Sequence, residues 1–146
     1  MNLIDMLTWG LRLTGVGQLF IAVIYVWMRR EVGWDADVAK LRPLNRCVAQ
    51  TYSRYIQGIN TVFGLICLLQ PHELTGKTPL AADLTLLMGV YWLGRLILGL
   101  FFYDPSEFTA PRPLFRFGEW AFNLLFAFMV VALFAAFAFN VGWLKV

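Results

Sequence analysis

Charge is scarce here: only 14% of the 146 residues are Asp, Glu, Lys or Arg, against 60% hydrophobic. That balance is unusual for a soluble domain of this size. Cysteine and histidine are scarcer still, with Cys47, Cys67 and His72 their only members. Cys47 and Cys67 lie near opposite ends of one expected helix, which rules out a disulfide between them. With His72 in a link, these residues also argue against a zinc or iron–sulfur site built from protein ligands, so no metal or cofactor is expected. The first ten residues, MNLIDMLTWG, lack the basic segment and small-residue cleavage site of a secretory signal peptide. The first apolar run therefore reads as a retained span.

Four such runs are present, at residues 7–28, 47–69, 80–102 and 117–139. They are too long and too free of turn residues to be core strands. Each has about the 20 residues that a helix needs to cross a hydrocarbon core of ~30 Å. Short polar links join them. Pro43, Leu44 and Asn45 break the chain before the second run, Pro71 follows it, and Pro79 suits the first turn of the third. The expected fold is an all-α integral membrane protein: one domain over residues 1–146, forming an up-down four-helix transmembrane bundle. The link at 34–46 reads either as a surface-lying segment or as a solvated loop.

Basic residues set the orientation. Arg29, Arg30, Lys40, Arg42, Arg46, Arg112 and Arg116 fall on one side of the membrane, and only Lys77 and Lys145 on the other. The positive-inside rule then places both termini away from the cytoplasm. The same distribution accounts for the net charge of +3 through contact with the cytoplasmic lipid surface, without nucleic acid as a partner.

Polar residues inside the runs are the candidate site, because a charge in hydrocarbon costs several kcal/mol unless paired or hydrated. Gln50, Arg54, Gln57 and Thr61 are spaced four, three and four along one helical face. Turning Gln50, Arg54, Gln57, Arg95, Glu119 and Asn123 toward the interior would gather them in one layer, with two guanidinium groups sharing the Glu119 carboxylate and Asp104 at its boundary. Such a cluster is either structural glue or a cleft for an anion, a lipid phosphate or a carboxylated substrate. Arg12 and Asp83 form a candidate structural ion pair at the opposite end. Gln18 needs an interhelical hydrogen-bond partner. Trp9, Trp27, Trp34, Trp143, Tyr25 and Tyr103 fit interfacial belts, while Trp92 and Trp120 are candidates for lining the bundle. Small residues, including Gly10, Thr14, Gly17, Ala22, Gly58 and Gly64, mark faces suited to close helix packing.

The segments NRCVAQTYSRYIQGINTVFG, YWLGRLILGLFFYDPSEF and RFGEWAFNLLF resemble small bacterial four-helix inner-membrane proteins. The Gly94–Arg95, Asp104–Pro105 and Gly118–Glu119 pairs carry the resemblance, which implies a fold and the bacterial inner membrane but no catalytic residues. A weaker similarity, in length and helix number, is to the membrane-associated eicosanoid and glutathione enzymes. Their second helix carries arginine, asparagine and glutamate at three-residue spacing. This chain has Arg46, Cys47, Gln50 and Tyr52 in that region, with no acidic residue on the helix.

No nucleophile with its base is apparent. The expected function is accordingly that of a non-catalytic membrane accessory or structural subunit, with lipids and other membrane subunits, or a second copy, as partners. The alternatives are a lipid- or amphiphile-binding module, with a glutathione-type transferase among its forms, and a component of an oligomeric channel or transporter.

Overall fold

The computed structural model describes residues 2–102 and 113–144, with the side chains of 113–116 left aside. Expectations that rest on Tyr103, Asp104, Arg112, Arg116 and Lys145 lie outside those residues or side chains. The described chain is all helical: α1 (Leu3–Glu31), α2 (Trp34–Ala39), α3 (Pro43–Leu69), α4 (Pro79–Phe101) and α5 (Pro113–Asn140), with a 3₁₀ turn at Glu73–Thr75.

The helix ends follow from local chemistry. Asn2 and Asp5 form a reciprocal capping box at the start of α1 (2.8 and 3.3 Å), and Thr78 caps α4 through the Ala81 amide at 3.1 Å. Pro79 occupies the first turn of α4 as expected. At α3 the expectation shifts: Pro43 is itself inside the first turn and Arg42 is the cap position, with no side-chain cap. Proline needs no amide donor there, so the helix starts at the proline rather than after it.

Among the described residues, three helices are long and apolar enough to cross a membrane: Leu3–Glu31, Pro79–Phe101 and Phe117–Asn140, with mean hydropathies of 1.5, 1.7 and 2.4. Only 22–28% of each apolar stretch is buried, so most of that surface faces outward, far more than a soluble monomer exposes. The expected fourth span, α3, differs. At 27 residues it is long enough, but Gln50, Arg54, Gln57 and Asn60 interrupt its apolar run.

Packing is uneven. α1 lies against α3 on one side and α5 on the other, and α4 lies against α5. The tightest approach joins α1 to α3. A Cβ on Gly15 would sit 2.7 Å from both the Gly64 carbonyl oxygen and the Leu68 amide nitrogen, so only glycine admits this contact. The buried core gathers at the same end of the helices, around Leu11, Cys67, Met88, Met129 and Leu133, and Leu74 of the 3₁₀ turn closes it. Asn140 fastens that turn to α5, donating to the Leu74 carbonyl at 2.8 Å and accepting from the Lys77 amide at 3.1 Å. α3 and α4 touch through long side chains: Tyr91 donates to Asn60 Oδ1 at 2.7 Å, and the Phe63 and Tyr91 rings meet edge to face at 5.7 Å.

Candidate functional site: the basic seam between α1 and α3

The seam is built from the end of α1. Arg29 and Arg30 stand in its last turn, where cations complement the helix dipole. Gly33, at φ +66°, turns the chain into α2. That turn brings Trp34 and Asp35 back onto Arg29. The Arg29 guanidinium lies 4.3 Å from the Trp34 ring centroid, and its Nε donates to Asp35 Oδ1 at 3.1 Å, with a second contact from its terminal nitrogen. Arg46, in the first turn of α3, donates to the carbonyls of Ala39 and Leu41 and so holds the end of α2. The link at 34–46 is thus ordered: the six-residue α2, a short connection and the first turn of α3, held together by Arg29 and Arg46.

Below this clamp α1 and α3 are fastened side by side. The hydroxyls of Tyr25 and Ser53 are 2.6 Å apart, and Gln57 Nε2 donates to the Ala22 carbonyl at 2.5 Å. Two hollows open along the seam. The first, of about 400 Å³, is lined by Arg29, Arg30, Asp35, Arg54 and Gln57, with Tyr25 and Ser53 beneath. The second, of about 510 Å³, is lined mainly by Ala22, Val23, Val26, Trp27 and Thr61. Val26, Arg30 and Gln57 border both, so the hollows adjoin.

The residues expected to share one interior layer are divided among different places. Gln57 turns toward α1 and Arg54 is exposed in the first hollow. Gln50 is half-buried in the first turns of α3. Arg95 is exposed on α4 and lies 5.4 Å from the Phe126 ring. Glu119 is half-buried on α5, and no ion pair joins it to Arg54 or Arg95. Asn123 packs at Gly99, its Oδ1 3.2 Å from where a Cβ would stand. Arg54 stays outside on the open flank of α3, beside the end of α1 that carries Arg29 and Arg30. The inward face of α3 is set instead by Ser53, Asn60, Gly64 and Cys67, one residue out of step with the expected stripe. Thr61 donates back to the Gln57 carbonyl of its own helix at 2.9 Å.

The expected Arg12–Asp83 pair is likewise not formed: Arg12 lies 5.2 Å from the Trp9 ring, and Asp83 is exposed. Gln18 is buried and reaches across to α3, donating to Cys67 Sγ at 3.9 Å. Trp92 is buried, whereas Trp120 is 66% exposed and faces outward. Asn60 and Gly15, both central to packing, escaped the sequence reading. Asn60 follows Ser53 by seven residues, two turns on the same face, and that periodicity was the available signal.

An all-helical chain with three membrane-length apolar helices and a basic seam at one end is what these observations define. Comparison with protein-family models, curated proteins and solved structures found no match.

Proposed function

We propose that this chain is a four-span integral protein of the bacterial inner membrane, with both termini non-cytoplasmic, acting as a non-catalytic accessory subunit of a larger membrane assembly. In this reading α3 completes an up-down bundle with α1, α4 and α5. One observation carries the accessory role. Val48, Tyr52, Tyr55, Ile59 and Val62 recur at intervals of four and three along α3, and all of them are exposed. A repeat of 3.5 residues is the seam that a second helix fills by knobs-into-holes packing. Gly58, with no atom within 4 Å of its Cβ position, leaves room beside that stripe for close approach. The wide outward face of α1, with Leu13, Val16, Phe20 and Val23 exposed, is suited to lipid.

Photo-cross-linking from inside native membranes tests this. A photoreactive residue at Tyr55 or Ile59 should capture another integral membrane subunit, and one at Val23 should capture only lipid. Polymer extraction of the wild-type chain should bring down the same subunit. Capture of its own copy would reassign the stripe to a homodimer. A monodisperse chain that captures lipid alone at Tyr55 and Ile59 would end the accessory reading.

A further inference from the structure

The geometry points to a binding site for an anionic phospholipid on the α1–α3 seam, with its phosphate held by Arg30 and Arg54 and its acyl chains along Val23, Val26 and Trp27. The site rests on the membrane placement proposed above and is independent of the partner stripe. Three guanidinium groups and one carboxylate line the first hollow, a net charge of +2. Asp35 is the only acid among them and is already engaged by Arg29. Arg30 and Arg54 take part in no ion pair among the described residues. Guanidinium is the side chain that matches a phosphate with paired donors.

The second hollow decides between a lipid and a free phosphate. It adjoins the first across Val26, Arg30 and Gln57 and is walled mainly by aliphatic and aromatic side chains. Its order along the helix also fits. Arg30 stands in the last turn of α1, and Tyr25, level with Ser53 and hence with Arg54, is about 7.5 Å deeper. Val23 and Ala22 follow deeper still. A lipid entering from the cytoplasmic leaflet would meet Arg30 first, then Trp27 and Val26 within one turn of the level of Arg54, and Val23 and Ala22 deepest. Free phosphate would leave that wall unused.

Native mass spectrometry of the full chain in neutral detergent tests the site with dioleoyl phosphatidylglycerol, dioleoyl phosphatidylcholine and inorganic phosphate as probes. The glycerol lipid should be retained over the choline lipid, and inorganic phosphate should not displace it. Arg30→Gln and Arg54→Gln should each lower that retention about fivefold, the factor for one basic residue at an anionic leaflet. Arg42→Gln removes a charge on the same side but outside both hollows, and should leave retention within about twofold. Equal losses in all three variants, unchanged retention in the first two, or displacement by phosphate would each overturn the site.

A photoactivatable phosphatidylglycerol on the unmutated chain supplies a readout that does not depend on variant folding. Its adducts should map to residues 22–27, and adducts confined to α4 and α5 would reject the proposal. Release of the chain from native membranes by alkaline carbonate would instead defeat the membrane placement. A chain that stays membrane-bound while phosphatidylglycerol retention is unaffected by Arg30→Gln and Arg54→Gln would defeat the lipid site alone.

Discussion

Gly15→Ala should loosen the molecule where α1 and α3 come closest. The added methyl would sit 2.7 Å from the Gly64 carbonyl oxygen, 2.7 Å from the Leu68 amide nitrogen and 3.0 Å from the Leu68 Cα, all of them backbone atoms. Ordinary contact begins near 3.4 Å, so the two helices would have to part by roughly 0.7 Å. No rotamer change can relieve a clash with backbone. Overpacking of this kind costs ~1–3 kcal/mol. Alanine recovers up to ~1 kcal/mol of helix propensity relative to glycine. With full recovery a net loss of up to ~2 kcal/mol follows, as much as a roughly 30-fold fall in the folded-to-unfolded ratio. Gly58→Ala is the matched control, since nothing lies within 4 Å of its Cβ position; it should gain ~0.5–1 kcal/mol. Gly64→Ala meets the Leu19 side chain at 3.0 Å, a group that can move, so it should fall between the two. Reversible unfolding in mixed micelles, with denaturing detergent as the titrant, would rank the three. If Gly15→Ala unfolds at the same detergent fraction as Gly58→Ala, the close crossing is not a determinant of stability.

Asn60→Ala strands the Tyr91 hydroxyl between α3 and α4 and should cost ~1–2 kcal/mol in the same titration, with Tyr91→Phe alone costing less. Asn140→Ala removes both bonds to the 70–78 link; amide exchange at Lys77 should accelerate, while exchange in the middle of α4 should be unchanged. Glu119→Ala, which breaks no ion pair with Arg54 or Arg95, should change stability by no more than ~0.5 kcal/mol, and a loss of ~2 kcal/mol or more would restore the shared network. In a variant lacking Cys47 and Cys67, a single cysteine at Asp37 should be shielded from an impermeant external reagent and one at Thr75 should react. The opposite pattern would invert the proposed orientation.

The helices were legible because length and apolarity are properties of a run, independent of what the run packs against. Each observed helix contains its expected span to within about one residue, and extends it by up to four at the polar ends, where capping groups such as Asn2 and Thr78 carry the helix into the links. Facing was much less legible. On α3, polar residues occupy two adjacent stripes, Gln50–Arg54–Gln57–Thr61 and Ser53–Asn60, and helical periodicity treats them alike. The choice between them is tertiary: Gly15 of α1 admits the Gly64 backbone, and that contact fixes the rotation of α3. Gly15 announces nothing by itself, because its reason for being glycine is a carbonyl 49 residues along the chain.

The candidate cluster dispersed for a related reason. The cost of a charge in hydrocarbon is relieved by an ion partner, by water or by a headgroup, and turning into the helix interior is only one of these routes. α3 has α1 on one flank and side-chain contacts with α4 on another, which leaves Arg54 an open edge near the end of α1 that carries Arg29 and Arg30. From Cys47, where the apolar run was expected to begin, Arg54 lies about 10 Å along the helix. If α3 spans the membrane as proposed, that depth is beyond bulk water and close enough to a headgroup layer for a phosphate to meet it. A charge at the centre of a membrane helix costs ~2.5–3.5 kcal/mol on insertion scales, and the apolar last eight residues of α3, from Val62 to Leu69, offset part of it. One of the four polar residues that interrupt the apolar run of α3 is therefore also the one that the proposed lipid site uses to meet an anion. An α3 stripped of Arg54 would cross the membrane more readily and leave Arg30 as the one guanidinium lining the first hollow that has no ion partner among the described residues.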